Sequence, residues 1–180
     1  MRLQTIDPGR LVYLDETGAK TNMLRRYARA MRGTRSTDFA PHGHWNTTTL
    51  VAALTMKGPV APMVLDGPMD RLSFEAYVDQ LLAPALWPGA IVVMDNLAAH
   101  KSAAIAQRLG QDGIKAWYLP PYSPDYNPIE QMWSKVKSLL RTAGARTQQQ
   151  LEDAIARALG NVTIQECQNY FQHSFVCMQS

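Results

Sequence analysis

Residues 119–141 read LPPYSPDYNPIEQMWSKVKSLLR, and two incompatible halves meet in this stretch. In the first half Pro120, Pro121, Pro124 and Pro128 remove backbone donors and fix φ, which predicts a stiff, extended connection. In the second half Met132, Trp133, Val136, Leu139 and Leu140 recur at three- and four-residue intervals, which predicts a helix with one apolar face. Asn127 is a favoured N-cap, Pro128 suits the first helical position, and Glu130 falls at the third, where the helix dipole favours a carboxylate. Two readings of Glu130 stand on these residues alone: it closes a capping box with Asn127, or it is presented for chemistry. Glu130, Ser134, Lys137 and Arg141 share a second face, so bases follow the acid along one side of the helix.

Working outward, two more carboxylates end short apolar runs. Asp15 follows Leu11-Val12-Tyr13-Leu14, and Asp95 follows Ile91-Val92-Val93-Met94. Continuous apolar runs of this length suit central strands covered on both faces, and sites in open α/β sheets lie at the carboxyl ends of such strands. One Asp at a strand end commonly marks only a turn. Two of them with a helix-start Glu form a candidate cluster of three carboxylates. Three converging acids repel one another and titrate together, a conflict that divalent cations resolve. Hard oxygen ligands suit Mg²⁺ or Mn²⁺, and two ions can stabilise both the attacking and the leaving oxygen of a phosphodiester displacement.

These residues carry a resemblance. Asp15 in YLDET, Asp95 in VVMDNLAAH and Glu130 in LPPYSPDYNPIEQMW, with 34 residues between the second and third acids, resemble the signature of bacterial insertion-sequence transposases of the mariner-like superfamily. The resemblance implies a ribonuclease-H-like catalytic domain with an Asp, Asp, Glu triad, two Mg²⁺ or Mn²⁺ ions, and cleavage and strand transfer of DNA at transposon ends and a TA target. Asp95 is then expected to bridge both ions, Asp15 to hold one or both, and Glu130 to hold one. Asn96 and His100 match the family's D-N-x-x-x-H pattern as supporting residues, although His100 serves equally as an ordinary helix-start residue. An active homodimer is expected. The family's amino-terminal helix-turn-helix is not seen, so the sequence reads as a leader over residues 1–9 and a catalytic domain over 10–180, with end recognition left to a separately encoded half. Two rivals remain at this level: another nuclease on the same scaffold, and a non-catalytic DNA-binding or dimerising remnant.

Composition narrows the classes. With 46% hydrophobic and 18% charged residues over 180 positions, the chain suits one globular domain. It has no apolar stretch of membrane-spanning length and no signal-peptide core, so a cytoplasmic protein is expected. Cys167 and Cys177 have no C-x-x-C spacing or matched His pair, which argues against a zinc site or a disulfide framework. A net charge of +3 is too small to specify a nucleic-acid partner. Its distribution says more: Lys20, Arg25, Arg26, Arg29, Arg32 and Arg35 occur without an intervening acid. This run is read as a DNA-backbone contact, together with Lys137 and Arg141, against the alternative of a solvated basic face.

The remaining segments complete the order. Residues 47–56 and 60–65 flank Lys57-Gly58-Pro59 as a β-hairpin. Asp70 or Ser73 opens a helix carrying Phe74, Tyr77, Val78, Leu81 and Leu82. A helix to about Leu109 follows Asp95, residues 114–119 form a fifth strand, Thr147 caps a helix to Leu159, and the tail forms a last short helix. This order of strands and helices agrees with what the resemblance implies, an α/β, ribonuclease-H-like fold with a five-stranded mixed sheet in the order 3-2-1-4-5, flanked by helices. In that arrangement strands one and four are expected to lie adjacent and parallel at the centre, bringing Asp15 and Asp95 side by side.

Overall fold

The computed structural model describes residues 6–25, 27–37, 47–96, 102–121 and 123–178. Arg26 and His100 lie outside the described residues.

Five strands form one sheet in the order β3-β2-β1-β4-β5, the order that the resemblance implies. They are β1 (Leu11–Ala19), β2 (Thr48–Thr55), β3 (Gly58–Asp66), β4 (Ile91–Met94) and β5 (Lys115–Tyr118). The first three form an antiparallel meander, and β4 and β5 run parallel to β1. The hairpin between β2 and β3 is closed by Thr55, whose hydroxyl donates to the Gly58 carbonyl at 2.9 Å and accepts from the Lys57 N–H at 3.1 Å. Gly58 sits there at φ +142°, a conformation that favours glycine. Pro59 and Pro62 fall on β3, an edge strand, where the loss of ladder donors is tolerated.

Helices cover both faces, which explains the uninterrupted apolar runs of β1, β2 and β4. On one face lie α1 (Arg71–Tyr77), a π-helical turn (Val78–Leu82), α2 (Ala83–Ala85) and α3 (Ala103–Gln111). They enclose Val12, Leu14, Val92 and Met94. On the other lie α4 (Ile129–Ala143), α5 (Gln148–Gly160) and α6 (Ile164–Cys177), which enclose Leu11, Tyr13, Ile91 and Val93. Strand alternation thus assigns odd-numbered residues of β1 and β4 to the α4 side. Leu11 pairs with Ile91 and Tyr13 with Val93. Two residues further along this register, on the same face, come Asp15 and Asp95.

The structure differs from the sequence reading in four places. β1 does not end at Asp15: its antiparallel partner continues pairing through Ala19 with Thr48, so Asp15 lies in mid-strand, just past the stretch paired with β4. The helix opened by Asp70, whose carboxylate accepts the Ser73 N–H at 2.7 Å, is not uniformly α. Its π turn widens the repeat, which keeps Val78 and Leu82 buried and leaves Leu81 39% exposed. The tail is no short helix: α6 runs for 14 residues, is closed at its start by a Thr163–Glu166 capping box, and buries Cys167, Phe171 and Ser174. Finally, the leader is tied down in part. Ile6 packs on the core, Asp7 caps the turn at Pro8–Arg10, and Arg10 Nε donates to the Gly89 carbonyl at 2.8 Å.

Candidate active site

The α4 helix positions one side of the site. Ile129, Met132, Trp133, Val136 and Leu140 are all buried against the sheet, and Trp133, 1% exposed, is the largest fully buried side chain. Burying it contributes roughly 3 kcal/mol or more, so the rotation of α4 about its axis is set by this stripe. Glu130 then falls outside it and is exposed. The helix ends at Gly144, which adopts φ +60° and donates its N–H to the Leu140 carbonyl.

The capping-box reading of Glu130 does not hold. The residue before the helix is Pro128, no side chain caps the first turn, and Glu130 is the second helical residue. Asn127 contributes its backbone carbonyl, which accepts the Glu130 N–H at 3.1 Å, while its side-chain Oδ1 is buried without a hydrogen-bond partner. The proline-rich connection and the short turn at Pro124–Tyr126 deliver Glu130 to a cleft of about 420 Å³. Asp15, Asp95, Asn96, Asn127 and Glu130 line this cleft, along with Leu119, Ser123 and three prolines of the connection, Pro120, Pro121 and Pro124.

Asp15 feels both of the other carboxylates. Burial pushes the Asp15 carboxyl up from 3.8 to about 7; the charges of Glu130 and Asp95 act in the same direction, while N–H donors from the Glu16 backbone and Trp133 oppose them. Trp133 Nε1 donates to Asp15 Oδ2 at 3.2 Å. Among the described residues, no three carboxylate, thiol or imidazole groups stand close enough to hold one ion together. The expected cluster is therefore looser than three acids meeting at one point. An all-oxygen donor set that includes a half-buried carboxyl fits Mg²⁺ or Mn²⁺.

Other expected residues divide. Asn96 is exposed and joins the cleft wall. Lys20, Arg25, Arg29, Arg32 and Arg35 are exposed in the segment after β1, but none lines the cleft. Arg25 and Arg35 instead border a separate concavity with Tyr27 and Thr34. Lys137 and Arg141 lie half-buried on α4 and do not line the cleft either. Two contributors were missed. Trp133 registers in the sequence only as a core residue, although its position three residues after Glu130 is a usable signal. Arg146 holds the base of the basic segment, with Nη1 donating to the carbonyls of Thr21 at 3.1 Å and Met23 at 3.4 Å.

A family model described as DDE superfamily endonuclease matches residues 10–152, which include Asp15, Asp95 and Glu130. The chain belongs to this family. As a DDE superfamily endonuclease, it is 30% identical over 93 residues to the transposable element Tcb1 transposase of Caenorhabditis briggsae, an alignment covering 48% of this chain and 33% of that protein. The DDE fold also matches solved structures. The Mos1 mariner paired-end complex with Mn superposes with a TM-score of 0.76 at 14% identity, covering 96% of this chain and 54% of that one. The catalytic domain of Mos1 mariner transposase gives 0.65 at 11% identity, covering 95% of this chain and 79% of that one. The ribonuclease-H-like arrangement expected from the sequence is thereby met. The chain spans about a third of the curated relative's length and about half of the longer solved chains.

Proposed function

We propose that this chain is the catalytic domain of a bacterial insertion-sequence transposase, which cleaves a DNA strand and joins the freed end to target DNA. The observation that carries the reading is the placement of Asp15, Asp95 and Glu130 around one cleft within a DDE endonuclease match that spans all three. Relatives named as Mos1 complexes with Mn and with Mg support divalent-ion use.

Asp15 on β1, Asp95 just after β4 and Glu130 on α4 would hold the two ions. When bound, Mg²⁺ or Mn²⁺ would lower the pKa of a water and stabilise charge on the leaving oxygen. In the first displacement a water oxygen forms a bond to phosphorus and the bond from phosphorus to the 3′-oxygen breaks, leaving a 5′-phosphate and a 3′-hydroxyl. In the second, that hydroxyl attacks a target phosphodiester and releases another 3′-hydroxyl. No protein nucleophile is required. The hydroxyl in the cleft wall, Ser123, donates to the Pro121 carbonyl at 3.3 Å rather than to a base. Asn96, and His100 beyond the described residues, would orient water or phosphate.

The basic segment from Lys20 to Arg35, including Arg26, together with Lys137 and Arg141, would bind the DNA backbone, positioning the duplex without reading its sequence. A TA target, a homodimeric active complex, end recognition from outside residues 10–180 and a cytoplasmic, nucleoid-associated location complete the proposal. A labelled duplex incubated with Mg²⁺ or Mn²⁺ tests it. The intact chain nicks the duplex and Asp95→Ala does not, while both bind DNA with similar affinity; equal nicking by the variant refutes the assignment.

A further inference from the structure

Trp133 occupies a position that core packing alone does not explain. Its indole is 1% exposed among Leu11, Tyr13, Met132 and Val136, yet its one polar atom finds Asp15 Oδ2 at 3.2 Å, 118 residues away in sequence. An indole N–H can only donate, so it is satisfied only where an acceptor faces it. The acceptor here is a carboxylate of the cleft. A phenylalanine would keep most of the packing but offer no donor to that carboxylate.

Donors fix Asp15 from two directions, the Glu16 backbone N–H and the Trp133 indole. A carboxylate offers about four lone-pair directions, so two donors set its plane and leave the rest for the cleft. Trp133 also shares a helix with Glu130, three residues away. One turn of α4 thus presents Glu130 directly and orients Asp15 through the indole. A shift of α4 would misplace both groups together. Metal-binding side chains generally depend on such outer donors, whose loss lowers metal affinity by about 10–100-fold.

We propose that Trp133 is a positioning residue whose indole N–H orients the Asp15 carboxylate and so sets the affinity of the cleft for divalent cations. The inference rests on the metal-dependent reading of the site given above. Its test measures Mn²⁺ binding directly, by electron paramagnetic resonance of the free ion, together with thermal unfolding in EDTA. Three proteins are compared: the intact chain, Trp133→Phe, and Trp133→3-benzothienylalanine, in which sulfur replaces the N–H within the same ring shape. The expected result is Mn²⁺ binding weakened about tenfold in both variants, with the benzothienyl protein unfolding in EDTA at the temperature of the intact chain. If the benzothienyl protein binds Mn²⁺ within twofold of the intact chain, the N–H has no such role and the proposal falls, whatever Trp133→Phe does. If the intact chain itself binds no Mn²⁺, the metal-dependent reading falls and this inference with it.

Discussion

Replacing Asp15 with Asn should stabilise the metal-free protein, and only above mildly acidic pH. Asp15 keeps its proton in the folded chain up to about pH 7 against 3.8 for the free group. Between those values the unfolded chain binds fewer protons than the folded one, so stability falls as pH rises through this window and levels off above it. At about 1.36 kcal/mol per pH unit the full interval sets a ceiling of roughly 4 kcal/mol. Relaxation and water entry in a half-open cleft bring a realistic value to about 2 kcal/mol. For a domain of this size that corresponds to roughly 4–8 °C in Tm. The assay is thermal unfolding in EDTA at pH 4, 6 and 8.5. Asp15→Asn should match the parent at pH 4 and exceed it at pH 8.5. Saturating Mn²⁺ should reverse the order, because an ion at about 100 times its Kd stabilises the parent by about 2.7 kcal/mol and the variant lacks a ligand. A variant that is less stable than the parent at pH 8.5 in EDTA, or a gain independent of pH, would refute the reasoning.

Two further outcomes follow from interactions away from the cleft. Lys135 Nζ bonds both Glu166 oxygens at 2.6 Å, and this, with the Thr163 N–H, holds the Glu166 carboxyl down at about 2. A lowered acid stabilises the fold above its unfolded value near 4.5 and loses that contribution as pH falls toward 2. The Tm advantage of the parent over Glu166→Gln should therefore shrink between pH 4.5 and 2, and a constant difference would contradict the ion-pair account. The exposed basic segment should govern the salt dependence of DNA binding. Combining Arg25→Ala, Arg29→Ala and Arg32→Ala should flatten the plot of log affinity against log salt by about 0.9 for each phosphate that is no longer neutralised, and an unchanged slope would make the segment a solvated face.

The two short apolar runs that end in Asp were legible as central strands from their composition. Their order in the sheet came with the resemblance, because a run that is apolar on both faces does not fix its own register and a slip of one residue would put the acids on opposite faces; the pairing of Leu11 with Ile91 puts them on one face. The extent of β1 was not legible, since Asp15 to Ala19 are held in strand by β2, a partner distant in sequence. The π turn at Val78–Leu82 depends on one extra residue per turn, which leaves an apolar spacing close to that of an α-helix. Asn127 and Glu130 match a capping box in sequence, yet the helix starts at Ile129, one residue later than that box requires. Trp133 reads as core because a buried indole and a buried phenyl give the same periodicity; only the tertiary hydrogen bond to Asp15 separates them. The basic run was recognisable as exposed, but its distance from the cleft depends on a path the pattern does not encode.

The most direct test of the central claim, that Asp15, Asp95 and Glu130 together hold divalent ions, needs no DNA and no turnover. Fe²⁺ bound in place of Mg²⁺ generates hydroxyl radicals with ascorbate and peroxide and cuts the nearby backbone, and the fragments are mapped by mass spectrometry. The account predicts cuts clustered near residues 15, 95 and 130, suppressed by excess Mg²⁺ and weakened in Glu130→Gln. Cuts spread evenly along the chain, or a cluster that neither Mg²⁺ nor Glu130→Gln alters, would contradict it.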